Sequence, residues 1–263
     1  MTSRRRAGLG VCFVGVGLLI GCGSSIPGQL QTDASSNDRA DARAAITVSA
    51  KVIDIAGGAP IPGASVCILD HPEIACATTD AAGAYTIALP EIGAGLDIAA
   101  NVTAAGFLGD TGLVHEGEQQ SGAVGVAWFS TNLRADATAV DLLSTHAGFT
   151  YPAAGKGFVL LSVFHQGGGA FAGQTVALSP ASGSGPVYAD PSGNPDPSLS
   201  AITSNGYALF GGLTPGKIEI TATGATCTPV STVGGMWTST TPHTIAGAVA
   251  ADSITRMSIT CAE

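Results

Sequence analysis

From Ile46 the chain alternates apolar and polar positions with a period of two. Ile46, Val48, Ala50 and Val52 fall on one side, and Thr47, Ser49, Lys51 and Ile53 on the other. Such alternation marks a strand with one buried face. Gly57-Gly58 and Pro60-Ile61-Pro62-Gly63 punctuate a turn, after which Ala64 to Leu69 reads as the next strand. Thr78-Thr79-Asp80-Ala81-Ala82-Gly83 reads as a hairpin, with Asp opening a type I turn and Gly at the left-handed position. Ala84 to Leu89 returns, and further strands are expected near 96–105 and 123–129. Short strands at roughly 8–12-residue spacing between Gly/Pro turns predict a β-sandwich.

The pattern then returns in a second stretch. Gly157 to Phe164 opens an alternating strand, and Ala172-Gly173-Gln174-Thr175-Val176 stands where Pro62-Gly63-Ala64-Ser65-Val66 stood. Thr203 to Phe210 repeats the Thr79-to-Ile87 hairpin, with Ala208 in place of the aromatic, and Leu213 to Gly224 repeats a later strand. We read a second, diverged copy carrying an insertion at 183–198. Between the copies Ala137, Val140, Leu143 and Ala147 fall at helical spacing, with Gly148 as a stop, so one short bridging helix is expected. The expected organisation is all-β: a first sandwich over 45–129, a helical linker over 130–155, and a second sandwich over 156–263.

The segment before Ile46 is of another kind. Arg4, Arg5 and Arg6 precede an apolar run from Ala7 to Gly21, too short to span a bilayer and typical of a signal-peptide core. It ends in Leu19-Ile20-Gly21-Cys22, which resembles the lipobox of bacterial lipoproteins. The resemblance implies a signal peptide over 1–21, acylation of Cys22, and attachment to a membrane through that lipid. An ordinary secretory cleavage site is the alternative. An Asp after the cysteine often signals inner-membrane retention in such lipoproteins; Gly23 stands there, so the expected address is the outer membrane or cell surface. Residues 22–44, rich in Ser, Asp, Asn and Ala, read as a flexible tether.

Charge sharpens the picture. Only 11% of the chain is charged, with 10 basic against 19 acidic residues. Removing 1–21 takes away three arginines and no acid, moving the formal charge from −9 to −12. Nucleic-acid binding needs a basic face, so that class is excluded. The 37 glycines also argue against a helical bundle, because Gly costs about 1 kcal/mol per helix-interior position.

Within the first copy, Val52-x-Asp54, Gly58, Pro60, Pro62-Gly63-Ala64-x-Val66, Thr79-Asp80, Gly83-x-Tyr85 and Ala105-Gly106-Phe107 together resemble the carboxypeptidase regulatory-like domain. The resemblance implies a seven-stranded, transthyretin-like sandwich without catalysis, a module common in secreted peptidases, adhesins and outer-membrane proteins.

Six cysteines remain to be placed. Cys12 leaves with the signal peptide and Cys22 takes the lipid, leaving Cys67, Cys76, Cys227 and Cys261. Cys67 and Cys76 are symmetric about a His71-Pro72 tip, which sets them opposite each other on paired strands within disulfide range. Bridges 67–76 and 227–261 are expected in an oxidising compartment. A metal site is the alternative, though neither pair has the Cys-x-x-Cys spacing that zinc prefers.

No catalytic residue is assigned. His115-Glu116 lacks a second His four residues on, no Gly-x-Ser-x-Gly elbow occurs, and His71, His115, His146, His165 and His243 are scattered. No cofactor or metal is therefore expected, although Asp190, Asn194 and Asp196 could offer oxygens to calcium. Trp128 and Trp237 are the two tryptophans. Trp128 falls in an alternating run and reads as core, while Trp237, in a Gly/Thr-rich stretch, is either core or a ligand-binding residue stacking on a sugar. The expected function is a non-enzymatic, lipid-anchored envelope protein for binding, adhesion or spacing. The alternatives are a carbohydrate-binding surface module and an accessory subunit of a secreted peptidase or envelope complex, with a glycan or an envelope protein as partner.

Overall fold

The computed structural model describes residues 46–89, 97–115, 131–165, 168–223, 228–229 and 237–262. The expected signal peptide, lipidation site Cys22 and tether, the strand expected near 123–129 with Trp128, and Cys227 lie outside the described residues. No helix among the described residues is long and apolar enough to cross a membrane. The described chain is mostly β.

Strand β1 (Ile46–Asp54) follows its sequence pattern, with Val48, Ala50 and Val52 buried and Thr47, Ser49 and Lys51 exposed. β2 (Ser65–Ile68) and β3 (Ala77–Thr78) pair with each other, and β4 (Ala84–Leu89) pairs antiparallel with β1, setting Ala50 opposite Tyr85. β5 (Asp97–Thr103) joins β2 to β6 (Phe107–His115). β7 (Thr131–Ala135), expected to begin the linker, instead pairs parallel with β1 and antiparallel with the start of β6. The layer β4-β1-β7 closes over β3-β2-β5-β6. Between them lie Val52, Tyr85, Ile87 and Leu89 from one side and Val66, Ile98 and Val102 from the other.

The expected turn after Thr79 forms as its residues dictate. The Asp80 carboxylate accepts the Ala82 and Ala84 amides at 2.8 and 2.9 Å, and Gly83 takes φ +69°. Its two arms, however, enter different layers, β3 beside β2 and β4 beside β1, so it is a corner and not a hairpin. Thr79 holds the first arm away from β4: its hydroxyl accepts the Ala64 amide at 2.8 Å and donates to the Ile61 carbonyl at 2.7 Å.

The second half repeats the central bonds of this frame. In the first, Val52 N–H donates to Gly83, Ile61 N–H to Val52 and Gly63 N–H to Thr79. In the second, Val163 donates to Gly206, Phe171 to Val163 and Gly173 to Ile202. β8 (Gly157–His165), β9 (Val176–Ser179), β12 (Tyr207–Leu213), β13 (Gly216–Ala222), β16 (Thr244–Val249) and β17 (Ser253–Ala262) take the places of β1, β2, β4, β5, β6 and β7. The insertion expected at 183–198 supplies β10 (Ser184–Ala189) and β11 (Pro195–Asp196), which extend the sheet beyond β12. β14 (Thr228–Pro229) runs beside the end of β17, and β15 (Trp237–Thr238) beside β16.

The halves meet along β17. This strand pairs parallel with β8 on one side and with β6 on the other, giving the strand order β11-β10-β12-β8-β17-β6-β5-β2-β3. Close approach at the seam requires Gly109, since a Cβ there would collide with Ser253 Oγ. The sheet β15-β16-β13-β9 covers one face, and its core runs on into Ala99 and Leu113 of the first half.

A helical segment covers the other face. α1 (Asp136–Val140) passes into a π-helical turn, Asp141–His146. The buried face is Ala139, Leu143 and Ala147, not the expected Ala137, Val140, Leu143 and Ala147; Ala137 is exposed and Val140 is 40% exposed. The wider π turn, in which the Ala147 amide reaches back to Leu142, brings residues four apart into line and rotates the stripe. Leu143 packs with Leu108, Phe149, Phe158, Leu209 and Ile254.

Candidate functional site

Alternation along the strands beside the seam sorts side chains between two faces. On β8, Val159, Leu161 and Val163 enter the large core, while Leu160 and Ser162 face the other way. On β12, Ala208 and Phe210 are core, and Tyr207 and Leu209 face the other way. β17 adds Ile254 and Arg256 to that second face, and β6 adds Leu108 and Asp110. Above them stand Arg134 of β7, Leu142 of the π turn, Ile55 after β1, and the Gly193 turn between β10 and β11. Together they enclose a cavity of about 400 Å³, mostly apolar in its walls. That size falls within the range of small-molecule sites, roughly 300–1,000 Å³.

Three charged side chains break the apolar lining. Asp110, with its side chain 8% exposed, accepts two hydrogen bonds from Arg256, from Nε at 3.1 Å and Nη2 at 2.6 Å. Ile254 is the parallel-ladder partner of Asp110, so Arg256, two residues on, reaches it diagonally across the seam. Burial pushes the Asp110 carboxyl above its ordinary pKa, and the facing guanidinium opposes that rise. Arg134 is half-buried, and among the described residues no carboxylate pairs with it. Its pKa is lowered, first by burial and then by the nearby Arg256 cation. Among the described residues, two guanidiniums thus share a pocket with one carboxylate, and that carboxylate is already engaged.

The residues singled out from sequence lie elsewhere. Cys67 and Cys76 form a disulfide with Cα atoms 4.4 Å apart. The pairs Ser65↔Thr78 and Val66↔Ala77 place the two cysteines at the next rung, the register expected from their symmetry. Cys261 is buried and disulfide-bonded at the rung facing Pro229, while its expected partner Cys227 lies outside the described residues.

Trp237 is a core residue and not an open stacking platform. It is 3% exposed, its Nε1 donates to the Ile98 carbonyl at 3.2 Å, and Lys217 Nζ lies 5.7 Å from the ring centre. Pairing of β15 with β16 draws the indole inward, where it joins the two halves. In the Asp190–Asp196 loop the carboxylates serve the loop's own turns. Asp190 accepts the Ser192 and Asn194 amides, and Asp196 accepts the Ser198 amide and hydroxyl. His71, His146 and His165 lie on separate elements: His71 bonds Glu73, His146 lies near Asp141, and His165 packs on Phe171.

Asp110, Arg134 and Arg256 were not singled out from sequence. Their one signal is charge inside strand patterns of a charge-poor chain, as in Phe107–His115 and Ser253–Ala262. Joining them requires the parallel β6–β17 contact, which no local pattern announces.

No known family profile matches the chain, and no curated protein matches it. Among solved structures it is similar to the Bacillus anthracis TIE protein, at 12% identity and a TM-score of 0.27, covering 83% of this chain and 33% of that one. It is also similar to GBS52, the minor pilin of Streptococcus agalactiae, at 11% identity and a TM-score of 0.26, covering 83% and 96%. The shaft pilin SpaA of Lactobacillus rhamnosus GG, in a D295N mutant, gives 11% identity and a TM-score of 0.28, covering 83% and 98%. The chain thus spans one third of the TIE protein's length, and likenesses at these scores carry no argument about function.

Proposed function

We propose that this chain is a non-enzymatic, lipid-anchored protein of the bacterial cell envelope. In this reading two transthyretin-like sandwiches, fused along one sheet, form a rigid binding or spacer module. Cys22 anchors it in the outer membrane or at the cell surface, with residues 22–44 as tether. The observation that carries the reading is the Cys67–Cys76 disulfide, set in strand register, since structural disulfides persist in exported proteins. The signal-like segment ending in Leu19-Ile20-Gly21-Cys22 supports it, as does the dispersal of the histidines over separate elements. More than one acyl chain on Cys22 would make attachment stable, because a single chain binds only marginally.

Metabolic labelling with a palmitate analogue tests the anchor. The protein is expected to take up label in the membrane fraction, and Cys22→Ala to lose the label and leave that fraction. Labelling that survives Cys22→Ala, or an unlabelled wild type, overturns the reading.

A further inference from the structure

We propose that the cavity over the β6–β17 seam binds a small organic anion, a carboxylate carrying an apolar body, with Arg134 as its charge partner. The inference goes beyond the anchoring reading and does not depend on acylation of Cys22.

The argument is one of complementarity. Asp110 and Arg256 meet through two hydrogen bonds, leaving the Asp110 carboxylate engaged and only 8% exposed. Arg134 lines the same cavity without a carboxylate partner among the described residues, and Arg256 is close enough to repel it. A half-buried guanidinium without a counter-charge is costly, and its fork of donors matches a carboxylate. An incoming anion would relieve both the burial and the repulsion. Elsewhere in the lining, Leu108, Leu142, Leu160, Leu209 and Ile254 offer apolar surface to the rest of the ligand. Among the described lining residues a cation has only Asp110, already engaged by Arg256, and a fully polar anion would leave those walls uncovered. The chain's formal charge of −9 makes two guanidiniums in one pocket a departure from its general field.

The test is calorimetric titration of the full chain carrying Cys22→Ala, prepared without detergent, with octanoate, decanoate and phenylacetate. Decanol and inorganic phosphate serve as controls for the tail alone and the charge alone. At least one carboxylate is expected to bind, and both controls to bind at least tenfold more weakly. Arg134→Gln is expected to weaken the carboxylate about tenfold or more, the range for loss of one charge-assisted hydrogen-bonded contact, while leaving decanol unchanged. Arg134→Lys should restore part of the affinity, and thermal unfolding of each variant reports its folding. Silence from all three carboxylates, equal binding of decanol, phosphate binding as tight as the carboxylates, or full carboxylate affinity in folded Arg134→Gln each overturns the proposal. If labelling of Cys22 fails while carboxylates bind, only the anchor is lost.

Discussion

In the first half, Tyr85 stands opposite Ala50 across the β1–β4 ladder; in the second, Ala208 stands opposite Leu161 at the same rung. The large residue has changed strands. Nearby, Ile61 of the first half corresponds to Phe171 of the second, and Ile87 to Phe210, all four buried. One hydrogen-bond frame therefore holds two cores of different shape, each filled by trading volume between facing positions. Cross-links differ as well. The first half bridges β2 to the chain just before β3, whereas in the second Ala177 stands at the position of Cys67, and the disulfide-bonded cysteine is Cys261 at the end of β17. What the repeat conserves is backbone pairing, and what it varies is filling and stapling.

The most severe test of this comparison is to give the first half the second half's small residue alone. Tyr85→Ala is expected to cost about 3–5 kcal/mol in chemical denaturation, as for other buried aromatics. Adding Ala50→Leu, which recreates the Ala208–Leu161 arrangement, should recover part of that loss. If the double variant is no better than the single, the halves do not trade volume at this rung.

A smaller loss is expected from removing the staple that only the first half has on β2. Replacing Cys67 and Cys76 together with Ala should cost about 2–3 kcal/mol, the contribution of a bridge closing so short a loop. Under reducing agent, which also opens the Cys261 bridge in both proteins, wild type and variant should become about equally stable. Equal stability of the two proteins under oxidising conditions would remove the staple from the comparison.

The smallest expected effect concerns the corner itself. Thr79 and Ile202 occupy equivalent positions and both are buried, yet only Thr79 can bond to Ala64 N and Ile61 O through a hydroxyl. Thr79→Ile should destabilise by about 1–2 kcal/mol, because the ethyl group that replaces the hydroxyl does not compensate for an amide left without its acceptor. A neutral result would mean that the first half tolerates the second half's apolar corner as it stands.

Much of the frame was legible because its signals are local. Val48, Ala50 and Val52 declared their buried face by period, Asp80 and Gly83 their turn by chemistry, and Cys67 and Cys76 their register by symmetry. The matching turns at Gly173 and Gly206 were legible for the same reason, being a recurrence of local signals. Three things were not. The arms of the Thr79 corner enter different layers because of long-range bonds to Ile61 and Ala64. The helical stripe fell out of phase because a π turn changed its period. The cavity depends on β17 lying between β8 and β6, pairings of residues 96 and 144 positions apart, and with it Asp110, Arg134 and Arg256 become neighbours. Trp237 belongs to the same class, since only the placement of β15 beside β16 turns its ring inward to Ile98.

The position of β17 also bears on the order in which the molecule can be made. A chain leaves the ribosome, or a translocation channel, from its N-terminal end. Ser253–Ala262 is the last described strand in that order, yet it occupies an interior slot of the sheet. Until it emerges, β8 and the Gly109–Thr111 stretch of β6 both present unpaired edges, and non-local pairing of this kind is slow and leaves strands open to wrong partners. The first half can assemble its own ladders early, but it gains its neighbour on β6 only when the second half is nearly complete. Assembly across the seam is therefore a late, closing event, and a chaperone that shields strand edges would act in the interval before it.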